Sequence, residues 1–574
     1  MALSHQTALS SRDDLKTFGR NARLLFALET RFRLDDIATV AANALTDGPD
    51  DKKCDLVFVD REGGIVIIAQ GYESDKDKAS APANKASDLN TATSWLLSRP
   101  INELPEGLRS AAAELRSALT DGDIRTVQAW FVHNLPESEN VNQELQTVEN
   151  TLLAGIKQHF KDSEVDECRG VEVGINTLEE WYQALEAPIL VTEEIDVPIP
   201  GSYEIKGDNW TAVVTTVPAS WLHELWRKHQ SKLFSANVRD YLGSRRSARN
   251  VNHNIKKTAA ELPQRFWAYN NGITALVNDY TPGGTTLKMT GISIVNGAQT
   301  TGALGSLGTT PEGTAAVQAR FVKCSDTDTI RDIIQYNNTQ NAVEVADFRS
   351  NDGVQRRLRD EFDQIPNATY LGGRRGGDAD LIKRTPNLMP SDTCGQALAA
   401  FHQEPATAYN SKSAIWENDA LYSTIFSDDT SAKHIVFALS LLRAVEARKK
   451  SLADKTTRTQ QEEKQFQFLR SRGSTFLFVA AIASCLETFL SRPIPNSFRA
   501  SFGKVSPETA ATYWAAILDA TAPFCSKLQP ALDFGFKNKD NVRKALAEFQ
   551  AMVEATKEAN ANRFAGFAAN VIVD

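Results

Sequence analysis

Cysteine is scarce and scattered along this chain. Its six residues (Cys54, Cys168, Cys324, Cys394, Cys485 and Cys525) form no CxxC pair and no cluster with histidine. That excludes a structural zinc site of the usual spacing and reads as reduced, mostly buried thiols. The eight histidines show no HExxH or similar ligand spacing. His133 closes an apolar run and reads as a strand-end residue with a local partner. A P-loop is missing as well, and no internal repeat is found. The opening stretch, MALSHQTALSSRDDLKTF, lacks the long apolar segment of a secretory signal. The most hydrophobic run, FLFVAAIASCL (476–486), is too short to span a bilayer and reads as a core helix. A soluble, cytoplasmic protein with no membrane partner is expected. Nor is there a surplus of positive charge: 63 Lys and Arg face 72 Asp and Glu, a formal net charge of −9. Any polyanion site must therefore be a local patch.

What is present is enough for several cores, since 574 residues correspond to roughly three to four domains. Residues 12–45 read as two helices with Leu24, Leu25, Leu28 and Phe32 on one face. CDLVFVD (54–60) and GIVIIAQGY (64–72), joined through Arg-Glu-Gly-Gly, form a β-hairpin. A polar loop leads to a helix over 85–97. A strand (TVQAWFVHN, 126–134), a helix (143–160), a further strand (GVEVGI, 170–175) and a helix (TLEEWYQAL, 177–185) complete an α/β domain over 1–190.

A second, α+β domain is expected over 191–390. Residues 188–217 alternate and carry turn signals, so they are β-rich, and a helix follows over 219–234. GISIVNGAQTTGALGSL (291–307) reads strand, tight turn, helix; AVQARFVKC (316–324) is a strand. SDTDTIRDIIQYNNTQNAV (325–343) is a capped helix running into an Asn-rich loop. Another helix starts near 353 with Ser350 or Asn351 as its cap. Beyond Ser391 the pattern is helical to the C-terminus (391–574), interrupted by a charged connection at 448–465 that reads as a long surface loop or a helix–helix turn.

Three amide-rich turns stand out in the second domain: YNNGIT (269–274), IVNGAQTT (294–301) and YNNTQNAV (336–343). RFWAYNNGITALVNDY (265–280) has the Asn-Gly signal of a hairpin. On that account Asn270 and Asn271 are turn chemistry alone. The competing account makes them part of a ligand site with Asn296, Gln299, Thr300, Asn338 and Gln340. Gly297 permits a sharp strand-to-helix turn, and free N–H groups at a helix start attract phosphate or carboxylate. Amides that donate and accept together suit a base edge or ribose hydroxyls. Between Arg227 and Lys257 nine bases, among them Arg239, Arg245, Arg246 and Arg249, face one acid, Asp240. This is either a nucleic-acid-binding stretch or a solvated helical face.

The ordered motifs NVRDYLG, VNHNIKKT, FWAYNNGIT, IVNGAQTT, NNTQNAV and DFRSND, with GQALAAF (395–401) and LYSTIF (421–426) after them, resemble the AIPR family of abortive-infection phage-resistance proteins. The resemblance covers roughly residues 230–430 and implies a role in bacterial antiphage defence. The middle of this region also resembles, on shorter motifs, the ParB/sulfiredoxin type of core. There Gly297, Gln299, Asn338, Thr339 and Gln340 would line a nucleotide or phosphate site.

AIPR proteins often carry an N-terminal region similar to PD-(D/E)XK (restriction-endonuclease-like) nucleases, and the resemblance assigns residues accordingly. Asp55 and Gln70, on facing strands of the hairpin, would hold Mg²⁺ or Mn²⁺, and Glu29 would be the helical acid completing the site. A lysine two residues after the second ligand activates water in such sites, but Tyr72 stands there. Lys85 is the nearest replacement, with Lys76 and Lys78 poorer ones. Two readings follow. One is a metal-dependent nuclease with a nucleotide- or nucleic-acid-binding core. The other is a non-catalytic sensor that recruits a partner effector. A ParB-like nucleotide hydrolase is a distant third. Homo-oligomers or a partner encoded in the same defence operon fit either of the first two.

Overall fold

The computed structural model describes residues 3–573 apart from 47, 49, 187–188, 238–247, 313, 327–328, 331–332, 335–336, 338–348, 350–351, 371, 373–386 and 533–535; at 186, 231, 236–237 and 248–254 it describes the backbone alone. It contains a four-stranded sheet near the N-terminus, a seven-stranded sheet in the centre and a helical C-terminal region.

The first sheet has the order β1 (Leu56–Asp60), β2 (Ile65–Tyr72), β3 (Thr126–His133), β4 (Glu167–Val173). β1 and β2 form the expected antiparallel hairpin, and β2, β3 and β4 run parallel. Parallel strands need crossover segments that cover both faces of the sheet, so their sequences are apolar throughout. IVIIA in β2 and all of β3 are buried accordingly. Val66, Ile68 and Phe131 face the helices of 83–159, while Ile67, Ala69 and Trp130 face helix Ala22–Phe32 and its neighbours. The helix expected over 85–97 is divided at Asp88 into Ala83–Ser87 and Leu89–Ser98. His133 is buried and its Nε2 lies 3.0 Å from Glu172 Oε1 on β4. It is thus the partnered strand-end residue the sequence suggested.

The central sheet has the order β5 (Val191–Pro198), β10 (Thr286–Asn296), β8 (Ile273–Val277), β11 (Ala316–Cys324), β7 (Trp210–Pro218), β6 (Ser202–Lys206), with β9 (Asp279–Gly283) also on β10. Here the hairpin expected at 265–280 is overturned. Pro263 starts a helical turn that continues as helix Phe266–Tyr269, Asn270 caps it, and only then does β8 begin. Proline at the first helical position is favourable because its missing N–H has no partner to lose. β8 pairs antiparallel with β10 and parallel with β11, not with the segment before it. The strand-turn-helix at 291–307 is present, as β10, Gly297 and helix Ala298–Gly305.

Helix Gly353–Phe362 is capped by Asp352, whose carboxylate accepts from Val354 N, instead of by Ser350 or Asn351, which lie outside the described residues. The charged stretch 448–465 is not a long loop. Helix Ala432–Asp454 runs through its first part, and helix Gln460–Arg470 starts at a reciprocal cap. Glu462 N donates to Thr459 Oγ1 and Thr459 N to Glu462 Oε2, so a short turn suffices. Helix Ser474–Ser484 carries most of the apolar 476–486 run and is buried on nearly every side in the C-terminal core. Among the described residues no helix is long and apolar enough to cross a membrane. The only C-terminal strand pairing described is a two-residue contact between Ala500–Ser501 and Ile572–Val573.

The N-terminal and C-terminal regions dock through buried polar groups. Arg443 pairs with Asp36 and with Glu446 Oε2 (2.8 Å), and its Nη1 donates to Thr39 Oγ1 (2.9 Å). Nearby, Arg472 donates to Glu114 Oε2 (2.8 Å) and to the main-chain oxygen of Val57 (2.6 Å) on β1. The candidate hairpin therefore rests directly on the C-terminal helices.

Candidate functional site

At the open end of the β1–β2 hairpin Asp55 and Gln70 are both buried. Asp55 Oδ2 accepts from Gly71 N (2.8 Å), and Arg20 Nη2 lies 3.6 Å from Oδ1. Gln70 follows Val66 and Ile68 onto the opposite face from Ala69, and its Oε1 is buried without a hydrogen-bond partner. Two expected members are engaged by other charges. Glu29 is buried in an ion pair with Arg12 (2.6 Å), and Lys85 sends its ammonium 3.6 Å from Asp88. The lysine that reaches the empty lysine position is Lys78, whose Nζ lies 3.4 Å from the Tyr72 hydroxyl.

Mg²⁺ favours six oxygens in octahedral order, usually carboxylates and water. Among the described residues no group of three or more His, Cys, Asp and Glu gathers as it would around an ion. A guanidinium beside the Asp55 carboxylate competes for the same charge. The donor set of Asp55 and Gln70 therefore does not suit a firmly held divalent ion. Thiol chemistry finds no support either: burial pushes Cys54, Cys168, Cys485 and Cys525 up to about 12, which keeps these thiols protonated.

The amide-rich turns of the central sheet do meet. Asn270 Nδ2 donates to Thr300 Oγ1 (3.1 Å), joining the first turn to the second. Asn296 Nδ2 donates to the main-chain oxygen of Asn337 (2.8 Å), joining the second to the third. Arg320, on β11, donates through Nε to Thr274 Oγ1 and through Nη2 to Asn337 Oδ1, each at 3.0 Å. Backbone contact brings the turns this close. Gly272 and Gly297 have φ of +78° and +92°, and a Cβ on Gly297 would sit 2.6 Å from Gly272 O. The turns are glycine-dependent for both conformation and space.

The amides divide into two kinds. Asn270 makes structural bonds, since its Oδ1 also accepts from Gly272 N (2.8 Å). Asn296 is likewise a cross-link. Asn271 is exposed and Gln299 half-buried, beside a helix whose N-cap, Gly297, supplies no side-chain hydrogen bond. Asn338 and Gln340 lie outside the described residues, as do Arg239, Arg245 and Arg246, and the Arg249 side chain does too. Some of the charge of the basic run is already answered from afar. Lys228 pairs with Glu193 (2.6 Å) and Lys232 with Glu180 (2.8 Å).

A family model described as AIPR protein matches residues 234–556, more than half of the chain. The chain belongs to the AIPR family. The match begins inside the basic run, takes in the amide-rich turns and continues through most of the C-terminal helices, further than the motifs in the sequence reach. No curated protein and no solved structure matches the chain.

Sequence reasoning missed two residues of this AIPR protein that the fold brings into play and ranked a third low. Asn337 was visible inside YNNTQNAV, one position before the asparagine singled out. Arg320 sits in an ordinary alternating strand and carries no local signal. Lys78 ranks below Lys85 in the sequence because its loop looks mobile, yet its Nζ lies beside the Tyr72 hydroxyl.

Proposed function

We propose that this AIPR protein acts in abortive-infection antiphage defence, in the cytoplasm, as a sensor of nucleic acid or a nucleotide. The central sheet is the binding element, and the N-terminal region is a nuclease-like platform that works through a partner effector or a second copy of the chain. One observation carries this reading: an uncapped helix start, Ala298–Gly305, stands beside Asn271, Gln299 and the Arg320–Asn337 pair. Main-chain N–H groups and a guanidinium meet phosphate, and the amides address a base edge or sugar hydroxyls. Asn270, Asn296 and Thr300 position these groups. If Asn338, Gln340 and Arg239 to Arg249 reach the same edge, they extend it.

A second reading, active nuclease, is favoured by two details. Gln70 holds a buried oxygen without a partner, and Lys78 lies beside Tyr72 where an activating lysine belongs. Incubating the purified full chain with labelled DNA and RNA, with Mg²⁺ or Mn²⁺ and with or without nucleotides, decides between them. Retention without cleavage is expected. Metal-dependent cleavage that disappears in Asp55→Ala, Gln70→Ala and Lys78→Ala, and persists in Lys85→Ala, would establish the nuclease. Unchanged migration of every probe would contradict both.

A further inference from the structure

Among the described residues, half of one face of the central sheet is open, with Tyr203, Gln318 and Arg320 exposed on it. The other half is closed by Ile330, Ile333 and Ile334, packed on Ala212, Leu276, Val295 and Val322. Side chains alternate between faces along each strand, so register identifies what stands on the open half. Arg320 lies opposite Thr274 on β8 and Val214 on β7, and Val214 lies opposite Tyr203 on β6. One residue row further along, Gln318 lies opposite Thr216. Trp267 lies across this row, its indole Nε1 donating to Thr216 Oγ1 (3.0 Å). Tyr203 is 68% exposed and Trp267 49%.

Single exposed apolar groups are ordinary, but exposed rings grouped on one face mark an interaction surface. The pattern around them is selective. On the described part of this half-face Arg320 is the charged residue, and no acid stands beside it in the rows of Tyr203, Val214, Thr216 and Gln318, although the chain as a whole is acidic. Neighbouring strands are about 4.8 Å apart, so Arg320 on β11 and Tyr203 on β6 are separated by about 10 Å. That is a span for consecutive unpaired nucleotides. The rings offer stacking surfaces, Gln318 and Thr216 offer hydrogen bonds, and Arg320 offers a phosphate contact.

We propose that this open half-face is a stacking platform for single-stranded nucleic acid, with unpaired bases on Trp267 and Tyr203 and the backbone passing Arg320. This deepens the sensor reading and rests on it. Rings accept any base, so the platform discriminates strandedness more than sequence; in a duplex the base faces are already stacked on one another.

The test is equilibrium binding of the full chain, by fluorescence anisotropy, to labelled (dT)20, (rU)20 and a (dA)20·(dT)20 duplex. Single strands are expected to bind more tightly than the duplex, and comparison of the first two probes identifies DNA or RNA as the preferred strand. Trp267→Ala and Tyr203→Ala should each weaken single-strand binding about tenfold, Trp267→Phe should restore most of the loss, and duplex binding should not move. Single-strand binding that both alanine variants leave intact would overturn the platform while leaving the sensor reading in place. So would equal wild-type affinity for strand and duplex. Failure of the wild type to bind any of the three would overturn the platform and the nucleic-acid half of the sensor reading, leaving a free nucleotide as its ligand.

Discussion

Asn296 donates a 2.8 Å hydrogen bond to the main-chain oxygen of Asn337, forty-one residues away. Through this contact the turn after β10 and the start of the third amide-rich run share one edge, and Arg320 closes the arrangement from β11. The consequence for function is a division of labour. Amides that look alike in sequence serve partly as cross-links, and the proposed ligand site rests on Asn271, Gln299 and Arg320.

That edge depends on Gly297. Its left-handed conformation costs about 1–2 kcal/mol for a residue with a side chain, and a Cβ would press on Gly272 O. Gly297→Ala is expected to lower stability by at least that amount and to abolish binding at the central sheet. Chemical denaturation alongside a binding titration checks both. A variant as stable as the wild type would mean that the turn tolerates a side chain and that the glycine is not what brings the two backbones together.

Docking of the two ends of the chain depends on Arg443. Asp36 and Glu446 are 8% and 9% exposed, and the guanidinium between them is their shared partner. Removing one member of a buried ion pair leaves the other charge uncompensated, at about 3–5 kcal/mol. Arg443→Ala should therefore cost about 3 kcal/mol in denaturation. Arg443→Met combined with Asp36→Asn and Glu446→Gln should recover most of it. Equal losses in the single and triple variants would show that packing, not charge, holds the interface.

A histidine pair in the C-terminal region should give the protein an acid-sensitive stability. His402 Nε2 and His434 Nε2 are 2.9 Å apart, and His434 Nδ1 lies 2.8 Å from Ala500 O. With His434 Nδ1 donating to that carbonyl, its Nε2 must accept from His402, so both rings are neutral. Burial lowers His402 to about 2, with the neighbouring imidazole adding to the effect, and burial lowers His434 to about 4. The unfolded rings take up protons below about 6.5 while the folded ones do not. Stability is then complete above pH 6.5 and falls as pH drops, by about 1.4 kcal/mol per unit for each ring. The loss levels off near pH 4 for His434 and lower for His402. Melting temperatures between pH 5 and 7.5 should fall with acid in the wild type and fall less in His402→Asn. Parallel pH profiles would contradict this.

How much of this was legible beforehand follows from what each feature depends on. The strands of the first sheet were readable because runs such as IVIIA and TVQAWFV are buried by their own composition. The turn at Gly297 was readable because a strand pattern met a helix pattern at one glycine. The segment at 265–280 departs from the hairpin expectation because Asn-Gly between aromatic runs is equally compatible with a helix end, and Pro263, just before it, starts the helical turn. Arg320, Asn337 and the Arg443 interface are products of long-range register and docking. Lys85 ranks above Lys78 in the sequence because the Lys78 loop looks mobile, but side-chain reach back to Tyr72 is set by the path of the loop.

The account stands most directly on one measurement: the affinity of the full chain for labelled nucleic acid across a salt series, in the wild type, Arg320→Gln and the Asn271→Ala/Gln299→Ala pair. Phosphate contacts release counterions, so wild-type affinity should fall as salt rises, and Arg320→Gln should weaken binding and flatten that slope by about one contact. The amide pair should weaken binding about tenfold while keeping the slope, since neutral groups release no ions. Wild-type affinity and slope in both variants would contradict a ligand site at this edge.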